Sequence, residues 1–179
     1  MKHHSQMTWF TWIDTGMLAA VPKKARDFAQ NADGLIDDVN RKLLAELQDD
    51  ARLTVAELGR RVGLSSPAVA ERLQRLEGAG AIKGYHAHID ARALGLFLPA
   101  VIRIRPAPRE LQKVADLARR TPEVVECLRI TGEDCFIMKL HLRDVEHLEE
   151  VIDRFVIYGQ TTTSIVQSSP VPGRGVDLG

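Results

Sequence analysis

The stretch from Leu64 to Tyr85 constrains the fold of this chain more than any other segment. Apolar residues recur at i, i+4 and i+7 from Val69 to Leu76, which predicts the buried face of a helix. Pro67 suits the first turn of that helix, and the serines before it can accept hydrogen bonds from free backbone N–H groups. Gly78 and Gly80 predict the helix end, because glycine adopts the left-handed conformation that a C-terminal cap needs.

The opposite face of this predicted helix carries short, polar or cationic side chains. Such a face suits the major groove of DNA, where arginine binds guanine edges or phosphate and glutamine binds adenine. The alternative is an ordinary amphipathic surface helix, in which Arg72 forms a salt bridge with Glu71 or Glu77. The candidate DNA contacts are Ser65, Ser66, Ala70, Glu71, Arg72, Gln74, Arg75 and Lys83.

Two further helices are predicted before this one. Asp37 is a suitable N-cap for the first, and the apolar positions between Val39 and Leu47 form its buried face. Thr54 and Glu57 form a predicted capping box at the start of the second. Three short helices with a glycine turn between the second and third predict a helix-turn-helix unit. The strand-like run Ile82–Ile89 is predicted to act as a wing and then as a linker.

The second half of the chain alternates between strand and helix patterns. Strands are predicted at residues 98–105, 124–130, 135–142 and 161–167, with helices starting near Leu111 and after Asp144. This βαββαβ order predicts a ferredoxin-like domain, in which two helices cover one face of a four-stranded sheet. The predicted fold class is therefore α+β, a winged-helix-like N-terminal helix-turn-helix domain joined to a C-terminal ferredoxin-like domain.

The face of the sheet that the helices leave open is also predicted to be partly apolar. Strict alternation separates Val124, Leu128 and Ile130 from Val125 and Cys127 on the second strand, and Phe136, Met138, Leu140 and Leu142 from Cys135 and Ile137 on the third. An open apolar face predicts a partner, and we expect dimerisation through it. A dimer presents two helix-turn-helix units, which suits a two-fold site with half-sites about 34–36 Å apart.

Composition excludes several classes of protein. The 24 basic and 24 acidic residues give zero net charge, so any contact with DNA must depend on local charge. The two cysteines do not form a disulfide scaffold, and no apolar run approaches the ~18 residues of a transmembrane helix. The run Met17–Val21 is too short for the core of a signal peptide, so a cytoplasmic protein is expected. The sequence shows no nucleophile–base pair, metal cluster or phosphate loop, so we expect that the protein is not an enzyme and binds no cofactor.

The chain divides by pattern into five segments. They are an N-terminal extension at 1–34, a helix-turn-helix domain at 35–84, a linker at 85–97, a ferredoxin-like domain at 98–168 and a flexible tail at 169–179. The extension carries apolar residues from Trp9 to Ile13 and a small basic patch from Pro22 to Arg26. It is either a loose terminus or an arm that packs on a second subunit or on the DNA backbone.

Short motifs follow one another in a fixed order over about residues 36–167. They are Ile36-Asp37, Asn40–Leu44, Glu57-Leu58, Val62–Ser65, Arg72-Leu73, Arg75–Glu77, Ile82–Tyr85, Leu94-Gly95, Glu123–Cys127, Thr131-Gly132, Arg143-Asp144 and Thr162–Val166. In this order they resemble the leucine-responsive regulatory protein/AsnC (Lrp/AsnC, feast/famine) family of bacterial and archaeal regulators. The resemblance implies a DNA-binding N-terminal domain, a C-terminal ligand-sensing domain, dimers that assemble into octamers, and amino-acid effectors.

The resemblance also points to an effector site after the second strand. There a glycine turn exposes backbone N–H groups for a carboxylate, and acidic side chains suit an ammonium group. The alternative is an ordinary hairpin turn with solvated acids. The candidate effector-binding residues are Thr131, Gly132, Glu133, Asp134 and Thr163. Two positions depart from the family pattern, since Asn40 replaces an acidic residue and Cys135 occupies the position of an aspartate.

These observations predict a sequence-specific regulator that binds double-stranded DNA. A small effector, expected to be an amino acid, would change its oligomeric assembly and thereby its DNA binding. The alternative is a nucleoid-architectural protein that binds DNA with little sequence preference and responds to no effector.

Overall fold

The computed structural model describes residues 34–179, so the predicted N-terminal extension, apart from Gly34, lies outside the described residues. The described chain forms two compact units. One contains the residues up to Ala87 together with Gly175–Gly179, and the other contains His88–Arg174.

The first unit is built from three helices, α1 (Asp38–Asp49), α2 (Val55–Val62) and α3 (Ser66–Gly78). Leu43, Leu58 and Val69 contribute one buried side chain from each helix and form a common core. The predicted helix-turn-helix domain is confirmed.

The ends of these helices follow the predicted caps only in part. Asp37 accepts a hydrogen bond from the Asn40 N–H at 2.6 Å, and Thr54 accepts one from the Glu57 N–H at 3.2 Å. The Glu57 carboxylate pairs with Arg61 and a neighbouring arginine instead of returning to the backbone of Thr54, so only half of the capping box forms. Ser65 is the N-cap of α3 but makes no side-chain capping bond.

The predicted wing is absent from the described chain. Residues 81–90 form no strand, and Lys83–Asp90 are exposed. A strand is stabilised by hydrogen bonds to a neighbouring strand, and no strand within residues 34–179 pairs with this run. The run leads into a short 3₁₀ helix at Ala91–Leu94, and the first strand begins at Leu98.

The second unit contains β1 (Leu98–Pro106), α4 (Leu111–Arg120), β2 (Val124–Arg129), β3 (Phe136–Leu142), α5 (Val145–Val156) and β4 (Gly159–Ile165). The strands lie in the order β2-β3-β1-β4 and all pairs are antiparallel. Side chains of α4 and α5 pack with one face of the sheet in a single core. The ferredoxin-like prediction is confirmed. The last strand starts two residues earlier than predicted, because Gly159 and Gln160 pair with Pro106 and Arg105.

Strict alternation is wrong for β2. Val124 pairs with Leu140 and Glu126 pairs with Lys139, so the register shifts across Val125. After this irregularity each side chain of β2 lies on the face opposite to the predicted one, because the bulge adds one residue to the strand. Leu128, which was predicted to share a face with Val124, therefore lies opposite Ile137 on the open face.

The predicted alternation holds throughout β3 but does not extend back to Cys135, the residue before the strand. Phe136, Met138, Leu140 and Leu142 are buried, as predicted, and Ile137 is only half-buried. Cys135 precedes the strand and packs against the buried core, so its predicted position beside Ile137 on the open face is wrong.

The segment after β4 has no regular secondary structure. Its last residues contact α1, because Arg41 Nη1 donates to the Leu178 carbonyl at 2.8 Å and Gln48 Nε2 donates to the Val176 carbonyl at 3.2 Å. The flexibility of residues 169–179 stays a prediction.

No helix between residues 34 and 179 is long and apolar enough to cross a membrane. Over the same range, no group of His, Cys, Asp and Glu side chains is arranged to hold a metal ion.

Candidate nucleic-acid interface and effector loop

The outer face of α3 presents most of the predicted DNA contacts together. Ser66, Ala70 and Gln74 follow one another at intervals of four residues, so they lie along one stripe of the helix. Glu71 and Arg75 form the neighbouring stripe. All five side chains are exposed, as is Ser65 at the N-cap. The small side chain of Ala70 leaves room for a close approach by another molecule at the centre of this surface.

Two of the predicted cationic contacts are Arg75 on α3 and Lys83 in the segment after it. Both side chains are exposed, and within residues 34–179 neither has an ion-pair partner. Arg61 differs, because its guanidinium lies 2.5 Å from the Glu46 carboxylate and 3.6 Å from that of Glu57. Arg75 and Lys83 are therefore available to bind an anion such as a DNA phosphate without first breaking an ion pair.

Arg72 is placed differently from the other predicted contacts. Its Nη1 donates to Asp37 Oδ2 at 2.7 Å and to Asn40 Oδ1 at 3.0 Å, both in the first turn of α1 or its cap. Neither Glu71 nor Glu77, the partners considered from sequence, takes part. The hydrogen bond from Arg72 holds the pKa of Asp37 below its usual range, with the Asn40 N–H adding to the effect. Arg72 is thus already paired inside the domain.

Tyr85 ties the segment that carries Lys83 to the end of α3. Its hydroxyl donates to Glu77 Oε1 at 2.8 Å. Partial desolvation of the hydroxyl, and then this hydrogen bond, raise the pKa of Tyr85 to about 12, so the phenol stays protonated and keeps donating. The bond limits how far Lys83 moves away from α3.

The loop between β2 and β3 carries the predicted effector residues. Thr131, Gly132 and Glu133 are exposed, and Gly132 has a φ of 113°. Arg105 of β1 donates from Nε to the Glu133 carbonyl at 2.9 Å and from Nη2 to its carboxylate at 2.8 Å. On the same face, Arg103 Nε lies 4.0 Å from Asp134 Oδ2. Two arginines therefore face two acids at the end of the hairpin, an arrangement that sequence reasoning missed.

Thr163 lies apart from the four loop residues. Thr163 lies on β4, where it pairs with Ile102 of β1, and β1 separates β4 from β3. Ile102 belongs to the core beneath the helices, so Thr163 shares the helix-covered face, whereas Arg103 and Arg105 lie on the open face.

A groove of about 420 Å³ lies between α4 and the edge strand β2. Its lining includes Leu111, Arg119, Glu126 and Phe136, and none of the loop residues 131–134. No sequence motif indicated this groove, because it depends on how a helix packs beside a strand.

Both units match known domains. Residues 36–77 match the AsnC-type helix-turn-helix domain, and residues 99–176 match the Lrp/AsnC ligand-binding domain. An uncharacterized HTH-type transcriptional regulator of Bacillus subtilis, YezC, is 40% identical over 134 residues, covering 75% of this chain and 95% of the relative. The chain belongs to the Lrp/AsnC family of transcriptional regulators.

Solved structures of Lrp/AsnC proteins share the fold. Bacillus subtilis LrpC is 30% identical with a TM-score of 0.74, and the match covers 77% of this chain and 99% of LrpC. The feast or famine regulatory protein of Mycobacterium tuberculosis, solved in complex with L-methionine, is 31% identical with a TM-score of 0.74, covering 78% of this chain and 97% of that protein. The helix-turn-helix match covers α1, α2 and all of α3 except its last residue, and the ligand-binding match begins within β1 and extends beyond β4.

Proposed function

We propose that this Lrp/AsnC protein is a sequence-specific DNA-binding regulator in which α3 enters the major groove. The observation that carries the proposal is the exposed face of α3, where Ala70 and Gln74 lie beside the unpaired cation Arg75. Gln74 suits an adenine edge, Ala70 suits a thymine methyl group, and Arg75 suits guanine or phosphate. Ser65, Ser66, Glu71 and Lys83 complete the proposed contact surface.

One copy of this surface has little positive charge. Cationic side chains that bind phosphate supply much of the affinity for DNA. The proposed contact surface includes two cations of this kind, Arg75 and Lys83. Several linked copies would raise the affinity by increasing the effective concentration of each domain at the DNA. We therefore propose that the protein acts as homodimers, formed through the open face of the sheet, that assemble into octamers. Exposed Leu128 beside half-buried Ile137 supports an interface on that face.

We also propose that an amino acid binds at the loop 131–134. The backbone N–H groups of the turn and Arg105 would hold the carboxylate, while Glu133 and Asp134 would hold the ammonium group. The L-methionine bound to the Mycobacterium tuberculosis relative supports this class of ligand. Because Arg105 already binds Glu133, the ligand must exchange this ion pair for its own two charges. Its effect on DNA binding would follow from a preference for one assembly state.

The DNA proposal is tested by Arg75→Ala in gel-shift titrations on the region upstream of the protein's own gene. We expect affinity to fall by about 1–3 kcal/mol, because Arg75 contacts a base or a phosphate. Arg52→Ala is the matched control, since it removes the same charge from an exposed turn of the same domain. Equal affinities for Arg75→Ala and the wild-type protein would contradict the proposal. Similar affinity for unrelated duplexes would instead favour the nucleoid-architectural alternative.

The effector proposal is tested by thermal shift with L-methionine and the other amino acids. A ligand that binds only the folded protein stabilises it by about 2.7 kcal/mol at a hundred times its Kd. We expect Glu133→Gln to reduce this shift, because the amide cannot pair with an ammonium group. Glu149→Gln, an exposed acid on α5, should leave the shift unchanged. Absence of any shift across all the amino acids would contradict an amino-acid effector.

A further inference from the structure

A polar cluster joins the recognition helix to the start of α1. It consists of Arg72, Asp37, Asn40 and the Leu35 carbonyl, and we refer to it as the Arg72 cluster. Arg72 donates to both Asp37 and Asn40, and Asn40 Nδ2 donates to the Leu35 carbonyl at 2.6 Å. Asp37 also caps α1 by accepting from the Asn40 backbone N–H. Two of these four hydrogen bonds, those from Arg72, connect residues that lie more than thirty positions apart in the sequence.

Asn40 is the buried centre of this cluster. Only 4% of the residue is exposed, and both ends of its amide are used, the oxygen by Arg72 and the nitrogen by Leu35. A carboxylate at this position would have no proton to donate to the Leu35 carbonyl. It would also add a second negative charge beside Asp37. The amide instead leaves one cation, Arg72, opposite one anion, so the cluster is charge-balanced.

The cluster adds directional contacts to a helix that also packs in the apolar core. Leu43, Leu58 and Val69 are the buried residues of that core, and apolar contacts are not directional. Hydrogen bonds require particular distances and angles, so those of Arg72 fix the rotation and position of α3 against α1. Arg72 lies one residue from Glu71 and two from Ala70 and Gln74. A rotation at Arg72 would therefore turn the whole proposed reading surface.

We infer that Arg72 is a positioning residue, and that DNA recognition depends on its bond to the acidic residue Asp37. This inference rests on the proposed function of α3. It replaces the sequence-based prediction that Arg72 contacts DNA directly. The Arg72 side chain is 28% exposed, and its Nη1 already binds two oxygen atoms.

The two roles of Arg72 predict opposite effects of one substitution. Asp37→Asn retains a good N-cap but removes the anion that holds Arg72. If Arg72 is a positioning residue, affinity for the upstream duplex should weaken by roughly tenfold to a hundredfold, as expected for losing a hydrogen bond between charged groups. If Arg72 binds DNA, the same substitution frees the guanidinium and removes a negative charge, so affinity should rise.

Asp38→Asn is the matched control, because it removes the same charge from the next, exposed residue. We expect it to change affinity by no more than about fivefold. The Arg72→Ala and Asp37→Asn effects should be strongly non-additive, and Arg72→Ala should leave the salt dependence of binding unchanged. A phosphate contact would instead lower the salt slope by about one.

Amide hydrogen exchange of the full chain gives a readout without DNA. Exchange in Ser66–Gly78 should become faster in Asp37→Asn and not in Asp38→Asn. Higher DNA affinity in Asp37→Asn, or unchanged affinity with only a lower melting temperature, would overturn the inference. Failure of the wild-type protein to bind any duplex would refute the proposed function instead, while the exchange result would still decide whether Asp37 and Arg72 restrain α3.

Discussion

Gly59→Ala is expected to destabilise the helix-turn-helix domain and to abolish DNA binding at concentrations where the wild-type protein binds. A Cβ atom at position 59 would lie 2.5 Å from the Leu64 carbonyl oxygen, closer than real Cβ contacts come. That oxygen belongs to the backbone of the turn between α2 and α3, and the Leu64 N–H bonds the Gly59 carbonyl at 2.9 Å. The added methyl group must therefore displace the turn that starts the recognition helix.

The size of this effect follows from overpacking. Extra methyl groups in a packed site typically cost about 1–3 kcal/mol, and the local gain of about 1 kcal/mol in helix propensity offsets part of it. Urea denaturation monitored by amide exchange in α1–α3 measures the change in unfolding free energy. Gel shift measures the loss of binding, which exceeds the loss of stability because α3 itself is displaced.

Gly78→Ala provides the matched control at the end of α3. It places the same methyl group in the same domain, but nothing lies within 4 Å of the new Cβ atom. Gly78 is helical, so the substitution should stabilise the domain by about 0.4–1 kcal/mol. The two glycines therefore predict changes of opposite sign. Equal stability and DNA affinity for Gly59→Ala and wild type would contradict the close approach of the turn to α2.

The order of helices and strands could be predicted because it depends on local patterns. The apolar spacing from Val69 to Leu76 and the alternation from Phe136 to Leu142 each place a buried face within one element. The ends of elements were less predictable, because they depend on neighbours. Gly159 belongs to β4 because it pairs with Pro106 of β1. Residues 81–90 form no strand, and none of the strands between residues 34 and 179 pairs with them.

In the candidate sites too, features set by neighbours in the sequence could be predicted, whereas contacts between distant residues could not. The exposure of Ala70, Gln74 and Arg75 follows from the helical period and was predicted. The pairing of Arg72 with Asp37 could not be, because the acids nearest in sequence were not the acids nearest in space. The bond between Arg105 and Glu133 likewise depends on the strand order, which brings β1 beside β3.

Phe155→Ala should destabilise the ligand-binding domain by about 3–5 kcal/mol, the usual range for removing a buried phenylalanine. Phe155 lies on α5 with none of its surface exposed, in a core that includes Ile104 and Met138 of the sheet. The change leaves a cavity between helix and sheet that rigid backbone can only partly close. Val156→Ala is the control, since Val156 is the next residue on the helix and is 49% exposed. Its effect should stay within about 0.5 kcal/mol.

The effect of Phe155→Ala on DNA binding tests the proposal that the first unit binds DNA while the second unit assembles the protein. Their buried cores share no residues, so exchange protection should fall in β1–β4 and persist in α1–α3. Sedimentation should then show smaller assemblies, and DNA affinity should fall because fewer helix-turn-helix units remain linked. An equal loss of protection in both units would show that they unfold together. Unchanged DNA affinity in a dissociated variant would show that one copy of α3 binds without help from the others.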